Sequence, residues 1–135
     1  MKENLNFADA YKLPLRADKY VPSVVWTADG HGAIDFVTGT KNDIEWDDLI
    51  TVRKANQYLN VINGKKKSHF TQKFVYEDSY IYYTEDDGKL YPVISIRGWG
   101  YLTNPNRLNL SSDDAAKIQD DFGKYIVEKL NEKSN

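Results

Sequence analysis

Val24-Val25-Trp26-Thr27, then Ala28-Asp29-Gly30-His31-Gly32, then Ala33-Ile34-Asp35-Phe36-Val37 is the stretch on which the fold turns. Two runs of β-branched and aromatic residues flank an Asp-Gly pair, and Gly30 can supply the positive φ that a tight hairpin turn requires. This predicts an antiparallel hairpin. Downstream, Leu49, Val52, Ala55, Leu59 and Ile62 are spaced three or four apart and fall on one helical stripe. Acids at Asp43, Glu45, Asp47 and Asp48 precede the stripe, and Gly64 with Lys65-Lys66-Lys67 follows it, in keeping with a helix dipole and a glycine stop. The spacing predicts a helix starting between Asp43 and Leu49. Ile50-Thr51-Val52, a β-branched run of low helix propensity, is its weak point.

Residues 70–102 read as a meander. Phe70, Phe74 and Tyr76 share a period-2 face with Gln72, Asp78-Ser79 breaks the run, and Tyr80-Ile81-Tyr82-Tyr83-Thr84 follows. Glu85-Asp86-Asp87-Gly88 predicts a turn, and Leu90 to Arg97 a further strand in which Pro92 demands an edge or a bulge. Gly98-Trp99-Gly100-Tyr101 interrupts the alternation, and Thr103-Asn104-Pro105-Asn106-Arg107 has the composition of a loop. Beyond it, Ser111 with Asp114 resembles a capping box. Ala115, Ile118, Phe122, Ile126 and Leu130 then mark an amphipathic helix with Asp113 and Asp114 at its start and Lys129 and Lys133 at its end.

Upstream, Leu13-Pro14-Leu15 biases the chain towards an extended conformation. Residues 1–19 therefore read as an N-terminal arm, or a short helix with an extended lead-in, on one domain spanning 1–135. Each half of the chain offers an Asp-Gly hairpin and later an amphipathic helix ending in Ile62-Asn63 or Leu130-Asn131, a pattern that two ββα-like units on one sheet would produce. The expected fold is α+β, an antiparallel sheet of about five strands with two amphipathic helices packed on one face.

Composition narrows the chemistry. The chain has 135 residues, 41% hydrophobic and 13% aromatic, enough for a core. It has no cysteine, which excludes disulfides, thiolate nucleophiles and Cys-containing metal sites. No apolar run long enough for a signal peptide or a membrane span occurs, so no membrane partner and a cytoplasmic address are expected. The balance of 18 Lys+Arg against 20 Asp+Glu gives a charge of −2, opposite to the basic excess of a dedicated duplex binder.

The only local cluster with catalytic potential is Asp29, His31 and Asp35, but its spacing matches neither a helical zinc motif nor a nucleophile elbow. It reads more simply as a solvated turn, and His69 as a surface residue. The other carboxylates are accounted for by turns and helix starts. Asp86-Asp87-Gly88 lacks the full calcium-loop pattern, and no phosphate-binding glycine motif is present. No catalytic residue, no metal and no cofactor is expected. Lys65-Lys66-Lys67 could meet phosphates, although their place after a helix explains them equally.

The binding residues singled out are Arg97, Trp99, Tyr101 and Arg107. Two glycines around a tryptophan can present its ring for stacking or partner contact, with two arginines and a tyrosine alongside. The rival structural reading is a bulge that tucks the Trp99 indole under the last helix.

Trp26-Thr27-Ala28-Asp29-Gly30, then Ile34-Asp35-Phe36, then the Ala55-Asn56-Gln57-Tyr58-Leu59-Asn60-Val61-Ile62-Asn63 helix resemble small uncharacterised accessory proteins of tailed phages and prophages. The resemblance covers residues 24–63 and carries no catalytic residues. It implies an accessory protein of a mobile element that acts by binding a host factor, and with the aromatic-rich strands and loops and no assembled catalytic constellation the expected function is a non-enzymatic binding protein that engages a host protein. The alternative is a nucleotide-binding or single-stranded nucleic-acid-binding module. Solvent-facing aromatics beside a basic groove would favour nucleic acid, whereas an apolar patch with an acidic rim would favour a protein partner.

Overall fold

The computed structural model describes residues 6–132. Residues 1–5 of the N-terminal segment and Lys133 lie outside the described residues. The chain is α+β, with elements in the order α1 Phe7–Ala10, β1 Arg16–Ala17, β2 Val24–Trp26, β3 Gly32–Thr40, β4 Asp43–Trp46, α2 Val52–Ile62, β5 Lys73–Glu77, β6 Tyr80–Thr84, β7 Leu90–Ile96, α3 Trp99–Thr103 and α4 Ser112–Asn131. Among the described residues the antiparallel sheet has seven strands, in the order β1-β2-β3-β7-β6-β5, with β4 paired to the far half of β3. No described helix is long and apolar enough to cross a membrane.

The 24–37 hairpin forms as its residues dictate, with Gly30 at φ +87°. The strand count exceeds the expected five because β1 is only two residues long and β4 occupies a stretch whose acids suggest a helix start. In that stretch Ile44 and Trp46 pair with Gly39 and Val37, and Gly39, at φ +97° just before the turn, leaves no room for a Cβ against the Asp43 carbonyl. The helix begins later than the spacing predicts, at Val52, where the Thr51 side chain accepts from the Lys54 backbone N–H at 3.0 Å. Leu49, assigned to the buried stripe, is 89% exposed, and Val52 is exposed as well. Past the other end, Gly64 takes up φ +79°.

Within the meander the first strand starts at Lys73, not Phe70. Phe70 instead stacks on Tyr58 of α2, with ring centroids 4.4 Å apart. Pro92 sits in a central strand at the place where the β6–β7 register shifts, opposite Tyr82. The bulge tolerates a residue without an N–H. The last helix matches its stripe: Ala115, Ile118, Phe122, Ile126 and Leu130 are all buried, and Ser111 Oγ accepts from the Asp114 backbone N–H at 3.1 Å. Ahead of the sheet, Asn6 and Asp9 form a reciprocal capping box around α1. Tyr11 is buried face to face on Phe122, 4.1 Å between centroids, while its hydroxyl donates to the Arg97 carbonyl at 2.7 Å.

The strand registers reveal a pseudo-two-fold axis at the Asp35–Ser95 pair of β3 and β7. Val24 and Val25 lie opposite Asp35 and Ile34, as Tyr80 and Ile81 lie opposite Ser95 and Ile94. Both β2 and β6 shift register at the next step, Val25/Trp26 and Ile81/Tyr82. Ala17 then pairs with Val25 as Tyr76 pairs with Ile81, so Leu15 and Phe74 are equivalent positions on the two edges of the sheet. At each, the asparagine ending a helix closes the edge with a two-pronged amide. Asn63 Oδ1 accepts from Leu15 N–H at 2.7 Å and its Nδ2 donates to Leu15 C=O at 2.9 Å. Asn131 does the same at Phe74, at 2.9 and 2.8 Å. A side-chain amide thus stands in for a neighbouring strand and removes one pairing position from each edge.

The two units are three-stranded, β1-β2-β3 with α2 and β5-β6-β7 with α4, and they diverge beyond Phe36 and Ile96. The first continues through β3 into the β4 hairpin. The second turns at Gly98, φ +99°, into α3.

Candidate functional site

Alternation along the central strands sends Ile34, Phe36, Ile81, Ile94 and Ile96 into the core and leaves Asp35, Tyr80, Ser95 and Arg97 on the other side. Over that side the β3–β4 hairpin arches across β7 and β6. Lys41 at its tip reaches Glu77 of β5, Nζ to Oε1 2.7 Å, and lies over the Tyr82 ring at 5.6 Å. Between hairpin and sheet is an open concavity of about 390 Å³ lined by Asp35, Val37, Ile44, Glu45, Trp46, Tyr80, Ser95 and Arg97.

Its floor is the Asp35–Arg97 pair, Oδ2 to Nε 3.1 Å. Arg97 lies along β3 over Gly32, where a Cβ would sit 3.3 Å from an Arg97 Nη. Burial raises the Asp35 carboxyl above the ordinary carboxylate range, and the Arg97 charge offsets only part of that rise. Asp35 Oδ1, the Glu45 carboxylate, the Tyr80 hydroxyl and the Trp46 indole N–H form no hydrogen bond among the described residues. Trp46 is half-exposed, and after it the chain carries Leu49 and Val52 exposed. From Asp43 to Val52 the sequence holds four carboxylates and no cation. Asp47 is partly engaged in local structure, its side chain accepting from Leu49 N–H at 3.0 Å.

Of the residues expected to bind, Arg97 alone lines this concavity. Trp99 opens α3 and is half-exposed, so its indole is not tucked under α4. Tyr101 is half-buried and stacks on His31 at 4.1 Å between centroids. Burial and the Asp29 charge raise its hydroxyl, while Arg107, exposed in the turn after α3, acts in the opposite sense. The structure therefore places Tyr101 against His31 and outside the concavity.

The Asp29, His31 and Asp35 cluster is split, with Asp29 and His31 together on Thr27 and Asp35 engaged elsewhere. Asp29 bonds to the Thr27 hydroxyl, whose oxygen also accepts from the His31 N–H at 3.0 Å, and Asp35 pairs with Arg97. Among the described residues no set of three His, Asp or Glu side chains comes together to hold a metal ion. Glu45, Trp46, Tyr80 and Ser95 were missed by sequence reasoning. Outward positions of Tyr80 and Ser95 were legible from strand alternation, but reading 43–48 as a helix start hid Glu45 and Trp46. Comparison with family models, with curated proteins and with solved structures finds no match to this chain.

Proposed function

We propose that the chain is a non-enzymatic binding protein of the cytoplasm that engages a protein partner. Its binding surface is the concavity under the β3–β4 hairpin together with the ridge of Trp46, Leu49 and Val52. The carrying observation is that three large apolar side chains, Trp46, Leu49 and Val52, are exposed within seven residues, with Asp47 and Asp48 between them and Asp43 and Glu45 just before. Exposed contiguous apolar side chains mark interaction sites, and aromatic and arginine residues dominate interface energies. Such a run of carboxylates disfavours a phosphate backbone, so the nucleic-acid alternative is the weaker reading.

Contacts of α2 with β1 and of α4 with β5 and β6 support packing of both helices on one face, which leaves the hairpin side for the partner. The resemblance of residues 24–63 to phage and prophage accessory proteins supports a host protein as that partner. Affinity purification from the native host, run in parallel with wild type, Trp46→Ala and Trp99→Ala, tests the proposal. A specific protein retained by wild type and Trp99→Ala but lost with Trp46→Ala is the expected result. Retention by all three variants would remove the ridge from consideration.

A further inference from the structure

We infer that the concavity is a receptor for a cationic side chain, a lysine or arginine that the partner projects from an apolar segment. The inference deepens the proposed function and rests on it. The pseudo-two-fold axis supplies the first reason. Asp35 is equivalent to Ser95, and Arg97 to Val37, so the two units depart from each other where the concavity lies. A purely structural role does not call for this asymmetry, because Ser95 and Val37 occupy the same positions on the sheet without an ion pair.

Charge supplies the second reason. Arg97 is engaged by Asp35 through Nε, so its charge is largely matched, while Glu45 has no ion-pair partner among the described residues. Two carboxylates against one guanidinium leave the concavity net negative, and Asp43, Asp47 and Asp48 carry the same sign in the sequence on either side of Glu45. Lys41, at the tip of the hairpin, is committed to Glu77. An anionic occupant would meet this field unfavourably, whereas a cation would be drawn in.

Shape and wall chemistry supply the third. Trp46 and Tyr80 line the concavity, and aromatic faces attract a partly desolvated ammonium or guanidinium. Asp35 Oδ1, Glu45 and the Ser95 and Tyr80 hydroxyls offer acceptors for its N–H groups. The half-exposed Trp46 also offers apolar contact for the residues flanking the cation.

The test uses the full chain, isotopically labelled for amide NMR, and three capped pentapeptides: acetyl-Gly-Leu-Arg-Leu-Gly-amide and its counterparts with Gln or Glu at the centre. The arginine peptide should shift the amide signals of Asp35 and Glu45 and the Trp46 indole, binding about tenfold more tightly than the glutamine peptide. The Glu45→Gln variant, with unfolding midpoint unchanged, should erase most of that preference, and the glutamate peptide should bind weakest. Equal binding of the arginine and glutamine peptides at Trp46 would overturn the cation inference and leave the apolar ridge standing. Equal or tighter binding of the glutamate peptide would overturn it too. Absence of any shift at Trp46 and Leu49 with all three peptides would overturn the ridge as well.

Discussion

Gly123 shows how a single residue settles a contact that no periodicity reveals. A Cβ there would collide with the Tyr76 ring, and that ring is anchored because its hydroxyl donates to Asp120 at 2.6 Å. Helix propensity alone would make Gly123→Ala stabilising by about 1 kcal/mol. Overpacking against an anchored ring costs about 1–3 kcal/mol and wins. Urea unfolding of Gly123→Ala should therefore show a net loss of stability. Asp18 is a second residue with a readable consequence. It accepts from the Tyr20 and Val21 backbone N–H groups at 2.9 Å and from the Trp26 indole at 3.0 Å, and these bonds hold its carboxyl below the ordinary range. A depressed folded-state pKa contributes stability above the unfolded value, about 3.9, and the contribution is lost as pH falls through the folded value. Wild type should thus lose stability more steeply than Asp18→Asn on acidification below about pH 4; parallel pH profiles would contradict the assignment. The role of Gly123 was not legible in the sequence because Tyr76 comes from β5, and of the Asp18 bonds only the one from Trp26 of β2 lies beyond local reach.

Elements were legible where one period dominated and illegible where two signals competed. The α4 stripe matched because five apolar positions agree with a single helical face, and Phe122 is fully buried against Tyr11. Phe122→Ala should cost about 3–5 kcal/mol by urea unfolding, and a loss below about 1 kcal/mol would show that the helix does not depend on that ring. The stretch 43–52 misled because its carboxylates satisfy helix-dipole matching as readily as they occupy an exposed strand. Pairing of Ile44 and Trp46 with β3 decides for the strand, and that pairing depends on a turn whose register no local pattern announces. Gly98-Trp99 posed a choice between tucked and exposed, and the αL conformation of Gly98 turns the chain into a short helix with Trp99 half in solvent. Trp99→Ala should accordingly leave thermal stability nearly unchanged, well short of the about 3–5 kcal/mol expected of a core aromatic.

At the scale of the molecule, the two units match in register, in bulge position and in the asparagine that closes each sheet edge. Only the hairpin pattern and the Ile62-Asn63 and Leu130-Asn131 endings hinted at this in the sequence, because the equivalence lies in strand pairing rather than residue identity. It carries an energetic consequence. Asn63→Ala and Asn131→Ala each leave one backbone N–H and one C=O unpaired in a part-buried setting, and each should cost about 1–3 kcal/mol. Comparable losses in denaturant unfolding are expected; a loss at only one edge would show that the edges are not equivalent in energy. The units differ in that the first carries the hairpin over the concavity and the second turns into α3, and the hairpin is where partner binding is proposed. The most direct test is calorimetric titration of the purified partner into Trp46→Ala with its thermal unfolding measured alongside. The account predicts an affinity loss of about 2 kcal/mol or more, the range of an interface hot spot, at an unchanged unfolding midpoint. Wild-type affinity in a folded Trp46→Ala protein would contradict it.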